Sequence, residues 1–241
     1  MNRYYYDLHV HSCLSPCADD DNTPNNLAAM AMLSGLNIVA LTDHNTTKNC
    51  PAFFEAAKRH GIIAIAGMEL TTSEDIHAVC LFERLEDAMR FDKEIEKHRI
   101  LIENRKDIFG NQLIMDGSDN VIGEEKYLLS NATDISIEDA PELVQSFGGV
   151  CYPAHIDRDS NGIISVLGTF PETPLFNSVE FHFSENVESY VEKYGLFGKT
   201  VVVSSDSHSL SEMRDKENYF LLEDEPYSSD YVRKQLFLKL R

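Results

Sequence analysis

Long apolar runs, paired cysteine motifs and a secretory leader are all absent from this sequence. No stretch of about 18 consecutive apolar residues is present, so no transmembrane helix is expected. The start of the chain, MNRYYYDLHV, has neither the apolar run nor the small-residue cleavage site of a signal peptide. The five cysteines are odd in number and include no C-x-x-C pair, which favours reduced thiols over a disulfide framework. We therefore expect a cytoplasmic protein that does not act at a membrane.

Positive charge is also scarce in this chain. Its 21 Lys and Arg residues are outnumbered by 40 Asp and Glu residues, which gives a formal net charge of −19. The densest basic cluster is YVRKQLFLKLR at the C-terminus, whereas a nucleic-acid-binding protein normally presents a basic face to the phosphates. The composition predicts that long nucleic acids are not partners. It is compatible with a small anion bound at a locally positive metal site.

What the sequence does contain is an alternation of apolar runs and helical segments over 241 residues, 43% of them hydrophobic. Thr23, Pro24 and Gly35 mark the start and end of one helix, and Pro51 and Gly61 mark those of another. The predicted strands are YYYDLH, NIVALTD, IIAIAGMEL, IHAVCLF, VCYPAH, SVEFHF, VVVSSDSH and YFLLE. This pattern predicts one α/β domain over residues 1–241, with a parallel sheet that is closed or nearly closed.

The alternation is interrupted over residues 83–139, where the sequence is polar, first helical and then loop-like. Phe91, Ile95, His98 and Ile102 recur at helical spacing, so one face of this segment is expected to pack. QLIMDGSDNVIG has the turn residues of a small hairpin. We interpret residues 83–139 as a helical and hairpin insert that caps the mouth of the barrel.

Side chains that can bind metals accompany the apolar runs. They are His9, His11, Asp43, His44, Glu69, His77, His155, Asp206 and His208. Residues two apart in a strand share a face, so His9 with His11, and Asp206 with His208, each form a local chelate. Because the C-terminal ends of the strands of an α/β barrel converge on one site, we expect this set to meet there.

Each member of this set has a plainer interpretation when it is taken alone. A single histidine after a strand is usually a satisfied polar residue, and Glu69 could simply cap the loop that follows it. It is the conjunction of such residues at successive strand ends that predicts a metal centre. Among the remaining histidines, His60 and His98 are expected to be structural or exposed, and His182 stays open between the site and solvent.

Three aspartates at positions 19–21 precede the helix that starts at Thr23 and Pro24. Their charge could simply favour the positive end of that helix. This accounts for one or two of them, and an additional carboxylate ligand accounts for one more. A zinc site formed by Cys13 and Cys17 is not required, because the nearby imidazoles and carboxylates suffice.

The ordered motifs DLHVHS, LTDHN, GMEL, IHAVC, PAHIDR and SSDSH resemble those of the PHP (polymerase and histidinol phosphatase) superfamily. The resemblance spans the chain, with the insert as its variable part, and the stand-alone PHP-domain phosphoesterases are the most similar group. It implies a distorted (β/α)7 barrel of the PHP type. It also implies two or three divalent metals, Zn, Mn or Fe, at the C-terminal strand ends.

When the family's ligand positions are transferred to this sequence, the resemblance implies the ligands of a trinuclear centre. They are His9, His11, Glu69 and Asp206 for the first metal, Glu69, His77 and His155 for the second, and His44, His208 and Asp19 for the third. Glu69 would bridge the first two metals. Asp19 has the spacing of the family ligand before the helix start, and Asp43 would orient a ligand or a bridging water.

A carboxylate that bridges two cations is typical of phosphoester hydrolysis with a metal-bridging hydroxide as the nucleophile. Such a centre is locally positive and attracts an anionic phosphate. Arg158 could hold that phosphate, or could instead pair with Asp157 or Asp159 at the surface. The sequence thus predicts a metal-dependent phosphoesterase for a small phosphorylated metabolite or nucleotide, with Glu69, Asp43 and Arg158 as its catalytic residues.

Other functions stay open on the sequence. They are histidinol-phosphate phosphatase, a 3′–5′ exonuclease on short oligonucleotides, amide hydrolysis and a non-catalytic metal-binding or scaffold domain. The complete ligand set argues against a scaffold, and no lysine ends a core strand as amide-cleaving barrels require. The sequence does not determine the physiological substrate, the choice between monoester and diester, the metal or the oligomeric state.

Overall fold

The computed structural model describes residues 1–241. Its ten strands are β1 (Asn2–Val10), β2 (Ile38–Leu41), β3 (Ile63–Thr71), β4 (His77–Phe82), β5 (Leu113–Met115), β6 (Val121–Glu124), β7 (Val150–Pro153), β8 (Ser178–Phe181), β9 (Thr200–Val203) and β10 (Tyr219–Leu222). Its eight α-helices are α1 (Pro24–Leu33), α2 (Cys50–His60), α3 (Leu85–His98), α4 (Lys106–Phe109), α5 (Ala140–Ser146), α6 (Ile163–Leu167), α7 (Val187–Tyr194) and α8 (Ser229–Leu240). None of these helices is both long and apolar enough to cross a membrane.

Six strands form one curled sheet, a half-barrel, in the order β10-β1-β2-β3-β4-β7. The β1–β2 and β2–β3 pairs are parallel, and the other pairs of this sheet are antiparallel. β8 and β9 form a separate parallel pair. This pair is linked to both sides of the half-barrel, because Ile156 N–H donates to Glu180 O at 2.8 Å and Val10 bridges to Ser207. The sheet is therefore nearly closed.

The predicted α/β class is thus confirmed, but the sevenfold (β/α) count is not. β3 and β4 are joined by the short segment 72–76 and pair antiparallel, so no helix lies between them. Thr72 N–H donates to Ile76 O at 2.9 Å within this turn. A tight hairpin can replace the crossover helix only because the two strands run in opposite directions.

Apolar side chains cover both faces of the curled sheet. One face packs against α1, α2, α3 and α5. On the other face, Leu8 and Tyr152 are fully buried against Phe237 of α8. Leu240 O accepts a hydrogen bond from Ser178 Oγ, the first residue of β8, at 2.7 Å. Helix α8 therefore covers the end at which the strands begin, and the opposite end is left for polar side chains.

Local sequence signals predicted several element boundaries. Helix α1 begins at Pro24, and the Oγ1 of its N-cap Thr23 accepts from Asn26 N–H at 3.3 Å. Gly35 and Gly61, which follow α1 and α2, adopt φ of 74° and 72°, the left-handed region that ends helices. The QLIMDGSDNVIG segment is the antiparallel hairpin β5–β6. These predictions are confirmed.

The insert, residues 83–139, contains α3, α4, β5 and β6. It packs against the loop that follows β2. Asn45 Nδ2 donates to Leu129 O at 2.7 Å, and Lys48 forms an ion pair with Glu125 at 2.6 Å. These contacts support a loop that carries predicted ligands. The proposal that the insert caps the site stays a prediction, because the residues that line the cavities at the site lie outside this segment.

Candidate metal centre

Eight of the nine predicted ligands meet at the open end of the sheet. They are His9, His11, His44, Glu69, His77, His155, Asp206 and His208. Three groups of donor atoms, each within 4.8 Å of one another, are His9–His11–Glu69–Asp206, His44–Glu69–His77 and His11–His44–His208. Most of these residues lie at the ends of parallel strands or directly after them, so the convergence expected of an α/β barrel is present.

Glu69 lies at the centre of the group, near the end of β3, and is fully buried. Its Oε1 is 2.7 Å from His77 Nδ1 and 3.1 Å from His155 Nε2. Its Oε2 is 3.0 Å from His44 Nδ1 and 3.3 Å from His11 Nε2. His9 Nε2 also lies 3.3 Å from Oε1, so the two oxygens of one carboxylate face two different sets of imidazoles. A carboxylate that bridges two cations needs this arrangement.

His9 and His11 direct their Nε2 atoms towards Asp206. The two Nε2 atoms are 3.2 Å apart, and Asp206 Oδ1 lies 3.4 Å from the first and 3.2 Å from the second. His9 Nδ1 donates to Glu180 Oε1 at 2.7 Å, and His11 Nδ1 donates to Ser15 Oγ at 2.9 Å. With the ring protons on Nδ1, both Nε2 lone pairs point at the same place, where a cation can bind.

Asp43 supports the site through the loop that follows β1. Its Oδ1 accepts from Ser15 Oγ at 2.7 Å, and its Oδ2 accepts from Ser12 Oγ at 2.7 Å. Because Ser15 also accepts from His11, Asp43 holds that imidazole through one intervening hydroxyl. This contact is the physical basis for the predicted orienting role. A direct part in catalysis stays a prediction.

Beside the group of His11, His44 and His208 lies a cysteine, Cys17, where the resemblance implied Asp19, although the sulfur is not within 4.8 Å of all three donor atoms. Cys17 Sγ lies 3.2 Å from His44 Nε2. Burial raises the pKa of this thiol, but the neighbouring His44 and His208 outweigh burial and lower it to about 5. The carboxylate of Asp19 is exposed and is outside all three donor groups, while its backbone N–H donates to His208 O at 2.9 Å.

Strong charge–charge interactions act within this buried site. Burial disfavours the charged form of His9, but Glu180, Glu69 and Asp206 outweigh it and raise the pKa of that imidazole. Burial also disfavours the Glu69 carboxylate, but His77 and His9 contribute to lowering its pKa well below the usual range. The carboxylates of the site therefore stay ionised, and ionised carboxylates are ligands that attract divalent cations.

Backbone irregularities direct several of these side chains. His155 and Asp206 have φ of 27° and 51°, in the left-handed region that non-glycine residues adopt at a cost. The β1–β2 register shifts between Asp7 and Val10, on either side of His9. Such distortions persist where the surrounding structure enforces them, commonly at functional sites. They account for ligand directions that a regular strand pattern would not produce.

Two cavities adjoin the donor atoms and share Arg158, Asp206 and His208 in their walls. The smaller, about 110 Å³, also contacts Glu69, and the larger, about 500 Å³, also contacts Cys17. A further cavity of about 660 Å³ lies beside α5 and contains none of the predicted ligands. The two cavities beside the donor atoms offer space for a phosphoryl group and, next to it, for a larger substituent.

Basic side chains lie along the larger cavity. Arg158 donates to Asp206 Oδ2, so it pairs with a predicted ligand and not with its neighbouring aspartates. Asp157 instead accepts from the backbone N–H of His182 at 2.8 Å. Arg214 donates to His182 O, and both arginines, with burial, lower the pKa of the half-buried His182. The histidine that the sequence left open thus lines this cavity between two guanidinium groups.

The residues present fit divalent cations. Four buried atoms of the cluster lack a hydrogen-bond partner: Glu69 Oε2, Asp206 Oδ1, His44 Nδ1 and His155 Nδ1. Leaving a buried polar atom unpaired costs roughly 1–3 kcal/mol, and ligation of a cation removes that cost. Imidazoles combined with carboxylates suit Zn²⁺, Fe²⁺ and Mn²⁺. The number and identity of the ions stay a prediction.

Three residues of the site were not identified as site residues from the sequence. Glu180 is buried within β8, and an acid in the apolar run SVEFHF was an available signal. Arg214 and Cys17 lie in loops far apart in the sequence, and only the folded chain places them beside Arg158 and His208. No spacing rule within one strand predicts such contacts.

Residues 7–115, which run from within β1 to the end of β5, match the family model of the PHP domain. Among curated proteins, the chain is 35% identical over 104 residues to the 5′-3′ exoribonuclease of Haemophilus influenzae, over 42% of this chain and 34% of that protein. The chain therefore spans about a third of the length of this relative.

Solved structures share the fold over almost the whole chain. The lesion-specific endonuclease PfuEndoQ from Pyrococcus furiosus aligns with a TM-score of 0.65 at 16% identity, over 97% of this chain and 55% of that one. Endonuclease Q in complex with a 27-mer duplex aligns with a TM-score of 0.58 at 16% identity, over 97% and 56%. A protein from Bifidobacterium adolescentis, assigned as a metal-dependent phosphoesterase, aligns with a TM-score of 0.59 at 18% identity, over 97% and 96%. At these identities the likeness shows a common fold.

Proposed function

We propose that the chain, whose residues 7–115 match the PHP domain, is a metal-dependent phosphoesterase acting on a small phosphorylated metabolite or nucleotide. The placement of Glu69 carries the proposal. Its two carboxylate oxygens face separate sets of imidazoles, from His9, His77 and His155 at Oε1 and from His11 and His44 at Oε2. This is the local geometry that two-cation phosphoester hydrolysis uses.

Divalent cations bound at these residues would polarise the phosphate and lower the pKa of a water molecule. The residues of the chain hold the donors in place. Glu180 fixes the ring of His9, and Asp43 fixes that of His11 through Ser15, so that neither imidazole has to reorganise when substrate binds.

Arg158 and Arg214 are the residues we assign to substrate recognition. Both line the cavity of about 500 Å³ that opens beside Asp206. A guanidinium group can bind a phosphate through two parallel hydrogen bonds. Arg158 already donates to Asp206, so it can exchange this partner for a substrate oxygen without moving far. The cavity and its charge suit an anionic leaving group such as a nucleotide.

A second candidate is the removal of nucleotides from the end of an oligonucleotide. The relative from Haemophilus influenzae is a 5′-3′ exoribonuclease, opposite in polarity to the 3′–5′ alternative weighed from the sequence. The net charge of −19 argues for short substrates. The fold shared with Endonuclease Q, solved on a 27-mer duplex, weakens the exclusion of long nucleic acid, which stays a prediction.

The test is a hydrolysis screen with Mn²⁺, Zn²⁺, Fe²⁺ and Mg²⁺. It compares phosphomonoesters, a chromogenic phosphodiester, mononucleotides, short 5′-phosphorylated RNA and a DNA duplex. We expect turnover of small substrates that a chelator abolishes and that added metal restores. Preference for oligonucleotide ends would favour the second candidate. No hydrolysis of any substrate with any metal would contradict both.

A further inference from the structure

The side chain of Cys17 lies beside His44 and lines the larger cavity together with His208, the two imidazoles for which the resemblance implied Asp19 as a partner. Its Sγ is 3.2 Å from His44 Nε2, and His208 lines the same cavity beside it. His208 Nδ1 donates to the backbone oxygen of Asp206 at 2.8 Å, which leaves its Nε2 free to face the sulfur. Donor atoms of His11, His44 and His208 lie within 4.8 Å of one another at this place.

We propose that Cys17, and not Asp19, completes the third metal position, and that this position binds a cation with affinity for sulfur and nitrogen, such as Zn²⁺, Co²⁺ or Fe²⁺. The inference rests on the metal centre of the proposed function and deepens it. It concerns one ligand and the metal class that this ligand selects. Thiolate and imidazole together favour these ions over Mg²⁺ or Mn²⁺, which prefer oxygen ligands.

The distances at Cys17 are close to those of a ligated metal. Metal–nitrogen and metal–sulfur bonds of about 2.0 and 2.3 Å put the two donor atoms about 3.5 Å apart around a tetrahedral ion. Cys17 Sγ and His44 Nε2 are 3.2 Å apart. A side-chain rotation that moves the sulfur by a few tenths of an ångström is enough to admit the ion between the two donor atoms.

The loop that follows β1 explains why the cysteine and not the aspartate faces the imidazoles. Ala18 N–H donates to Ser15 O at 3.0 Å, which closes a turn with Cys17 inside it. Asp19 is held by its backbone, through a 2.9 Å bond to His208 O, and its side chain is exposed. The turn therefore presents Sγ to His44 and directs the Asp19 carboxylate to solvent.

A nucleophilic cysteine paired with one histidine is the alternative explanation of the short Cys17–His44 distance. Such a pair requires a single imidazole as its base. Here the sulfur lies 3.2 Å from His44 and shares the cavity wall with a second imidazole, His208, which has its own orienting bond to the backbone of Asp206. A metal ligand accounts for both imidazoles, whereas a nucleophile accounts for one.

Cobalt substitution gives a direct test, because a Co²⁺–thiolate bond produces a charge-transfer absorption in the near ultraviolet. Metal-free full-length protein is titrated with Co²⁺, and bound metal is counted by elemental analysis. We expect the band in the unchanged protein and its loss in Cys17→Ser, with one fewer cobalt bound per chain. Asp19→Asn and Cys151→Ser should keep both the band and the cobalt count.

Alkylation of Cys17 by iodoacetamide provides the second readout, measured by mass spectrometry of the Cys17 peptide. We expect fast labelling in the metal-free protein and at least about tenfold slower labelling after Zn²⁺ is added. Labelling that Zn²⁺ does not slow would overturn the assignment in favour of a nucleophilic pair.

The outcomes also separate this inference from the proposed function. Cobalt bound at the Glu69 positions without a thiolate band would overturn the role of Cys17 and leave the phosphoesterase proposal intact. A cobalt count that falls in Asp19→Asn and not in Cys17→Ser would restore the aspartate as the ligand. Absence of any bound cobalt would overturn both proposals. Thermal melting of each variant verifies that the fold is unchanged.

Discussion

The deep and shallow parts of the candidate centre are held in different ways. In the deep part, His9 and His11 are fully buried, and each Nδ1 is fixed by Glu180 or Ser15. In the shallow part, the His208 side chain is 27% exposed and Cys17 is exposed in a loop. Buried, orienting hydrogen bonds fix the deep ligands before any metal binds. The shallow ligands depend on loop turns, so we expect weaker and more selective metal binding there.

The largest effect is expected when the central carboxylate of the deep part is removed. Glu69→Gln keeps the shape of the side chain but removes the charge that faces five imidazoles. We expect kcat to fall by at least about 10³-fold and the bound metal to decrease, while the melting temperature of the metal-free protein changes little. Glu55→Gln, the same change at an exposed position, is the matched control. Equal activity in the two variants would remove Glu69 from the mechanism.

Glu180 tests whether orienting bonds account for the strength of the deep part. In Glu180→Gln the ring of His9 loses its charged acceptor at 2.7 Å. We expect about 10–100-fold weaker metal affinity, with activity recovered at high metal concentration. Competition with a metal-binding dye measures the affinity. Unchanged affinity would mean that the ring is held by packing alone.

The same comparison explains what the sequence could predict. His9, His11 and Glu69 follow or end regular apolar runs, so the two-residue and strand-end rules located them. Cys17 and Arg214 reach the site through loops, and the left-handed backbone of His155 and Asp206 redirects side chains locally. No residue-spacing rule predicts those loops and local backbone turns. The ligand role that we propose for Cys17, in place of Asp19, therefore became visible only in the folded chain.

The β3–β4 hairpin is the equivalent case in the fold. The apolar runs IIAIAGMEL and IHAVCLF were both predicted as strands, and both are strands. Their antiparallel pairing was not predicted, because an apolar run that is buried on both faces does not encode its own direction. The class of fold follows from the pattern, whereas the sevenfold count depends on this one turn.

Arg158 tests the substrate side of the shallow part. In Arg158→Ala we expect KM for phosphorylated substrates to rise about 10–100-fold, with a smaller change in kcat, because the guanidinium holds the anion both before and during reaction. Arg84→Ala, at an exposed position away from the cavities, is the control. A loss confined to kcat would instead show that Arg158 acts on Asp206, with which it pairs.

The smallest effect is expected at the insert, where Glu125 pairs with Lys48 of the loop after β2 but lies outside the donor groups. Burial alone would raise the pKa of Glu125, but Lys48 and Arg99 lower it. A carboxyl whose pKa is lowered by folding adds stability above its ordinary pKa of 4.5, and this stability is lost as the pH falls through the lower folded value. Glu125→Gln should therefore reduce the free energy of unfolding by about 1–2 kcal/mol near pH 7, with unchanged kcat.

Urea unfolding as a function of pH measures this effect. The difference between Glu125→Gln and the unchanged protein should shrink as the pH falls below about 4.5. Glu124→Gln, which removes an exposed pairing with Lys106, should change stability by less than about 0.5 kcal/mol. A large loss of activity in Glu125→Gln would show that the insert acts on the site after all.

Anomalous diffraction from crystals grown with Mn²⁺ or Zn²⁺ tests the central claim most directly, because it locates each cation relative to Glu69. We predict one cation at each oxygen of this carboxylate, about 3.5–4 Å apart. The first should contact His9, His11 and Asp206, and the second should contact His77 and His155. A single cation on one side of Glu69, or no cation within bonding distance of either oxygen, would contradict the account.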